Sequence, residues 1–265
     1  MLALYRSPIG RLLLRPLVSP GVSRLAGALL DTRLSKILIK PFARRNAIDL
    51  SEVLPEKWES FNAFFTRRLI PGARPVDGAA DALIAPCDGF LSVVDLAETG
   101  EFHVKGIPYT LGSLLQDEAL SGEFAAGLLL IFRLTPSHYH RYCFVDDGNF
   151  VGARSIPGLY HTVRPVALEK EPVFCRNHRE YAVLETRHLG RIVQIEVGAM
   201  LVGRIVNART EGAFARGEEK GKFEFGGSTI LLLLRKGKIE VEKSTGEVPV
   251  RMGQRIGRVR NAQSD

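Results

Sequence analysis

Along the first third of the chain, apolar residues recur at mixed three- and four-residue spacing. In SRLAGALLDTRLSKILIKPFARR (Ser23 to Arg45), Leu25, Leu29, Leu34, Ile37 and Leu38 alternate with Arg24, Arg33, Lys36, Lys40, Arg44 and Arg45. That is the pattern of an amphipathic helix with a basic polar side. Pro41 is expected to end it. LSEVLPEKWESFNAFFTRRL (Leu50 to Leu69) predicts a second helical region, broken by Pro71 and Gly72, and PGARPVDGAADA reads as a turn-rich connection.

After about residue 82 the period shortens. LIAPCDGFLSVV, GLLLIFRL, EYAVLET, RIVQIEVGAMLVGRIV and GGSTILLLLRKGKIEVE are short β-like runs punctuated by glycine and proline. In RIVQIEVGAML, Ile192, Gln194 and Glu196 alternate with Val193, Ile195 and Val197, which predicts a strand covered in part on both faces. The polar tail RVRNAQSD is expected to fray. The fold class is therefore α+β. N-terminal amphipathic helices (residues 1–75) precede a β-rich body (residues 76–265).

Composition changes this picture little. The chain has 265 residues, ordinary globular composition and a formal charge of +7. The charge suits an anionic partner such as a phosphorylated substrate or an acidic membrane surface, and equally suits simple solubility. Three cysteines without CxxC pairing argue against a disulfide framework or zinc site and fit a reducing compartment. No apolar run reaches the roughly 18–20 residues of a spanning helix. The start of the chain lacks the continuous apolar stretch and small-residue cleavage site of a secretory signal. A basic amphipathic segment of this kind is suited to lying on an anionic membrane, or to docking on its own core.

Polar residues beside turns in the β-rich body are the candidates for chemistry. APCDGF carries Asp88, RLTPSHYHRYCFVDDG carries His138 and His140, IPGLYHTVRP carries His161, and EFGGST carries Gly227-Ser228. Each has a plain explanation as well. Asp-Gly is a common turn. Two histidines two residues apart suggest a metal pair, but no third ligand completes it and no metal is expected. Gly112-Ser113 repeats the Gly-Ser pair in another context. There is no G-x-S-x-G elbow, no P-loop and no strand-linked G-x-G-x-x-G. No module with interleaved basic and aromatic residues points to nucleic acid.

Taken in order, six blocks resemble the phosphatidylserine decarboxylases. They are FNAFFTRRLIPGARPVD (Phe61 to Asp77), APCDGFLS (Ala85 to Ser92), KGIPYTLGSLL (Lys105 to Leu115), SHYHRY (Ser137 to Tyr142), VGAMLVGRI (Val197 to Ile205) and KGKFEFGGSTILLLL (Lys220 to Leu234). The resemblance implies a proenzyme that cuts itself between Gly227 and Ser228, giving a β chain 1–227 and an α chain 228–265. Ser228 becomes a covalent pyruvoyl group, which forms a Schiff base with the substrate amine and accepts the electrons released as carbon dioxide leaves.

The residue types suit that chemistry. The Ser228 hydroxyl attacks the Gly227 carbonyl only once a base takes its proton. Asp88 is implied as the acid that orients a histidine, and His140 matches the first His of the family's H-R-x-H pattern. Cys143 stands where the second His is usual. Four outcomes stay open: His140 serves alone, His161 helps as a base, Cys143 acts as a thiolate with a lowered pKa, or processing is lost. The resemblance further implies phosphatidylserine and an anionic membrane surface as partners, with phosphatidylethanolamine as product. The expected location is the cytoplasmic face of a bacterial cell membrane, held peripherally. A homodimer is compatible with it. The alternatives are a non-processing relative that binds phospholipid without turnover, and a pyruvoyl decarboxylase for a different head group. Arg141, Arg164 and Arg204 are candidates for the head-group phosphate because each adjoins a motif.

Overall fold

The computed structural model describes residues 4–5, 7–200, 204–226, 228–237, 239–241 and 246–260. Gly227 of the expected cleavage pair, residues 201–203 of the VGAMLVGRI block and the tail 261–265 lie outside the described residues.

The helices come first. They are α1 (Pro8–Leu17), α2 (Pro20–Leu30), a 3₁₀ segment Arg33–Leu38, α3 (Ile39–Arg45) and the short α4 (Phe61–Phe65). Ser7 and Ser19 cap α1 and α2, their side-chain oxygens accepting from Gly10 N at 2.9 Å and Val22 N at 3.4 Å. The basic amphipathic segment is thus not one helix. Pro41 does not end it but sits in the first turn of α3, where its missing N–H would have had no helical acceptor in any case. The second expected helical region shrinks to α4, capped by Ser60, whose side chain accepts from Ala63 N at 3.1 Å.

The β-rich body contains β1 (Ala82–Ile84), β2 (Gly89–Asp95), β3 (Glu101–Val104), β4 (Ile107–Thr110), β5 (Leu128–Leu134), β6 (Arg141–Cys143), β7 (Gly148–Ile156) and β8 (Arg179–Thr186). Beyond these run β9 (Gly190–Gly198), β10 (Ile205–Asn207), β11 (Ala213–Phe214), β12 (Glu219–Phe223), β13 (Ser228–Leu234), β14 (Ile239–Val241), β15 (Val248–Val250) and β16 (Arg255–Val259). Short helices α5 (Leu111–Leu115), α6 (Glu118–Phe124), α7 (Pro165–Leu168) and α8 (Val173–Arg176) sit between strands. The α+β expectation holds.

The main sheet has the order β11-β7-β8-β9-β13-β5-β2-β15, so β13 lies in its interior. Every residue of β13 is buried, as a run of β-branched and leucine residues covered on both faces should be. β9 is buried on both faces as well, including Gln194 and Glu196. Its polar face is matched from the small sheet β10-β12-β6, where Lys220 of β12 reaches Glu196 at 2.7 Å.

The N-terminal helices are not separate from this core. Tyr5, Leu14 and Val18 join the main cluster, while Ala43, Phe61, Phe64 and Phe65 form a smaller one with Phe42 and Phe225 at its edge. The same helices leave Ile9, Leu12, Leu25, Leu29, Leu34 and Ile37 exposed, at 60–82%. Single exposed leucines are normal, whereas a series on consecutive helices is the kind of feature found at interaction surfaces. Among the described residues no helix is long and apolar enough to cross a membrane.

Candidate active site

Ser228 is the first residue of β13, paired with Gly198 of β9 on one side and Leu134 of β5 on the other. Its side chain is wholly buried and its Oγ has no hydrogen-bond partner. Thr229 Oγ1 is in the same condition. The backbone is therefore held tightly by two ladders while the hydroxyl is left uncommitted.

His140 lies just before β6 and is wholly buried. Its Nδ1 is 2.9 Å from the carbonyl oxygen of His138. A carbonyl only accepts, so Nδ1 carries the proton and Nε2 keeps its lone pair. That Nε2 is buried without a partner. Burial, followed by the charge of Arg67, pushes the imidazole pKa down to about 3, so the ring is neutral. The ring packs on Phe65 at 4.1 Å between centroids, and Phe65 packs on Phe225 at 5.2 Å. The His140 carbonyl accepts from Phe223 N at 2.9 Å. The histidine is thus stitched to the segment that leads into Ser228.

His161 approaches the same strand end from elsewhere. Asn177 accepts from His161 N at 2.9 Å and donates through Nδ2 to His161 O at 2.8 Å and to Gly198 O at 2.7 Å. Gly198 is the residue paired with Ser228. A Cβ at Gly198 would lie 3.0 Å from the Tyr160 ring, so glycine permits this close approach. His161 Nδ1 is 3.3 Å from the Tyr5 hydroxyl, and its Nε2 is buried without a partner. Burial lowers its pKa, with the charge of Arg176 acting in the same direction. Asn177 was not singled out by sequence. An asparagine before a strand reads as loop chemistry, and only the fold brings it to Gly198.

Asp88 has other partners. Arg74 grips it through Nε and Nη2, both at 2.7 Å, and Met252 N donates to Oδ1 at 2.9 Å. No hydrogen bond joins Asp88 to a histidine among the described residues. Its charge does act on His138, whose pKa burial lowers and Asp88 partly restores. The Nδ1 atoms of both His138 and His140 are engaged, that of His138 accepting from Thr135 N at 3.0 Å in a turn rather than a strand.

Cys143 is buried on β6, its Sγ 4.0 Å from Ala85 O. Burial pushes the thiol up to about 12, which keeps it protonated.

Two of the three phosphate candidates are already paired with carboxylates. Arg141 binds both oxygens of Glu219, and Arg204 both oxygens of Glu224 at 3.0 Å, while Arg164 is exposed. Beside the site lies a cavity of about 490 Å³ lined by Arg67, Arg74, Asp88, His138 and Tyr139 among others.

Residues 61–258 match the sequence profile of the phosphatidylserine decarboxylases. Phosphatidylserine decarboxylase proenzyme 2 of Clostridium acetobutylicum is 40% identical over 262 residues, covering 96% of this chain and 90% of its own length. The phosphatidylserine decarboxylase proenzyme of Ruminiclostridium cellulolyticum is 41% identical over 267 residues, with coverage of 96% and 89%. That of Desulfitobacterium hafniense strain DCB-2 is 39% identical over 266 residues, with the same coverage. The chain belongs to the phosphatidylserine decarboxylase family. It is accordingly an enzyme, a lyase of the decarboxylase class, and its relatives are named as proenzymes.

Proposed function

We propose that this chain is a self-processing, pyruvoyl-dependent decarboxylase that converts phosphatidylserine to phosphatidylethanolamine at an anionic membrane surface. The observation that carries the reading is the orphaned Ser228 hydroxyl. Leaving a buried hydroxyl unpaired costs about 1–3 kcal/mol, and such a group persists where it is needed for reaction.

The residues present fit a pyruvoyl group at position 228, since its formation removes one of the two hydroxyls, Ser228 and Thr229, that the strand end leaves without a partner. When formed, the group supplies an electrophilic carbonyl that captures the substrate amine and takes up the electrons left by carbon dioxide. His140 Nε2 is the lone pair available to receive the Ser228 proton, because Nδ1 is held as a donor. His161, tied through Asn177 to Gly198, is the helper. Asp88 acts one step further out, by fixing Arg74 and the Met252 turn. Phe61, Phe65 and Phe225 keep water from the segment leading into Ser228, which favours loss of a carboxylate as neutral gas.

The strand keeps its work after cutting between Gly227 and Ser228. Residues Ser228 to Leu234 pair with β9 and β5, both of which would belong to the larger product. The β chain 1–227 and the α chain 228–265 therefore stay together through the main sheet. The exposed leucines and isoleucines of the N-terminal helices, with Arg24, Lys36 and Lys40 among them, suit an interfacial anchor. That corresponds to a peripheral enzyme on the cytoplasmic face of a bacterial membrane.

Cys143 motivates the competing reading, a relative that binds phospholipid without processing. Reduction with cyanoborohydride in the presence of a labelled amine separates the two. An adduct on residue 228 supports the decarboxylase; phospholipid binding with no adduct supports the non-processing relative.

A further inference from the structure

Two arginines are buried among the described residues, and they differ in a telling way. Arg179 is saturated. Its Nε donates to Leu114 O at 2.7 Å, Nη1 to Cys175 O at 2.7 Å and Asn177 O at 3.0 Å, and Nη2 to Ser113 O at 2.9 Å. It is a structural clamp. Arg67 is only 4% exposed, yet it meets nothing closer than Phe65 O at 3.4 Å, Ser137 O at 3.4 Å and His138 O at 3.5 Å. Its Nε has no partner, and its guanidinium carbon lies 5.4 Å from the Phe64 ring centre. No carboxylate forms an ion pair with it among the described residues. The carboxylates nearby are already engaged: Asp88 by Arg74, Glu52 by Arg74 and Arg251, and Asp49 by Ser51. A buried cation this poorly satisfied is costly unless an anion completes it.

Arg67 lines the cavity of about 490 Å³, which is large enough for a head group and opens beside Ser137, His138 and Gly89. The sheet fixes how far this is from the reacting end. Gly89 opens β2, level with Leu134 of β5, which pairs with Ser228. Two strand spacings, about 10 Å, separate Gly89 from Ser228. A long arginine side chain and a head group whose amine and phosphate are a few bonds apart span such a gap.

We propose that Arg67 is the ligand for the phosphodiester of the substrate head group, an inference that rests on the decarboxylase reading above. The chemistry selects phosphate over carboxylate. A guanidinium fork on the carboxylate would stabilise the charge that must be lost. The phosphodiester keeps its charge throughout, so a fork there holds substrate and product alike.

The test is calorimetric titration of the full chain with sn-glycero-3-phosphoethanolamine and, separately, with ethanolamine, which lacks the phosphate. The wild-type chain is expected to prefer the phosphodiester by at least about tenfold. Arg67→Gln is expected to lose that preference and Arg67→Lys to keep part of it. Equal preference in Arg67→Gln and wild type, or no preference in wild type, overturns the proposal. Should Arg67→Gln not fold, Arg67→Lys carries the test, and undiminished preference in it overturns the fork. Amine trapping on the same samples reports residue 228 independently. Arg67-dependent binding without trapping would sink the pyruvoyl reading and leave this one standing.

Discussion

Asp88 and Arg74 form a two-pronged ion pair, Nε to Oδ1 and Nη2 to Oδ2, each at 2.7 Å. Both side chains are largely buried, and Met252 N supplies a third hydrogen bond to the carboxylate. The carboxylate that sequence suggested as a partner for histidine is thus committed to an arginine.

Asp88→Asn removes the charge from this pair and leaves Arg74 with Glu52 alone. Breaking a buried pair from one side is expected to cost about 3 kcal/mol, read by urea unfolding of the purified chain. Self-cleavage is expected to slow in Asp88→Asn and, to a similar degree, in Arg74→Met, because the two side chains act as one unit. Normal cutting in Asp88→Asn would restrict Asp88 to stability.

His140 gives a pH signature. Its folded pKa, about 3, lies below the ordinary value of a histidine, so the unfolded chain binds the proton first. Stability from this group is complete above about pH 6.5 and drains away as pH falls toward 3. The wild-type chain is expected to lose on the order of a few kcal/mol more than His140→Phe across that window. Self-cleavage by a base that remains neutral should also persist at pH 5. A loss of cutting centred near pH 6.5 would assign the base to neither of these two buried rings, whose pKa values both lie below that; separate His140→Ala and His161→Ala variants tell the two rings apart.

Cys143 should be inert. A buried thiol pushed up to about 12 is not alkylated by iodoacetamide at pH 8 in the folded protein. Cys143→Ala is expected to cut itself within about threefold of the wild-type rate, a change below 1 kcal/mol in barrier. Abolished cutting in a folded Cys143→Ala would give the thiol a role.

The strands that form the middle of the sheet were legible because burial on both faces writes an apolar run, as in Leu128–Leu134 and Ser228–Leu234. β7 was not, since Gly148–Ile156 is mostly exposed and carries glycine, asparagine and arginine where an apolar alternation would signal a strand. Pro41 misled because a proline's effect depends on its place in the helix, and sequence does not number the turn. At the site, Ser228, His140 and His161 were visible as residue types in motifs. Their relation was not, because tertiary contacts alone make it: Asn177 and Gly198 tie His161 to the Ser228 strand end, and Phe223 N ties His140 to the segment before it. Arg67 was visible only as a letter within FNAFFTRRL. Its distinction is a buried guanidinium held only by long hydrogen bonds, with Nε unpartnered, which no sequence records.

The exposed apolar residues of the N-terminal helices predict a membrane-binding defect separable from stability. Leu34→Glu and Ile37→Glu alter side chains that are 82% and 78% exposed, so thermal stability should hardly change. Each is expected to weaken sedimentation with vesicles containing anionic phospholipid by about tenfold or more. Unchanged sedimentation of the double variant would locate the membrane contact elsewhere.

The central claim is that Ser228 becomes the catalytic group. Intact-mass measurement of the purified protein under denaturing conditions tests it most directly. Two chains are expected, 1–227 and 228–265, the smaller lighter by one ammonia than a fragment starting with serine. A single full-length chain with unmodified Ser228 would contradict it.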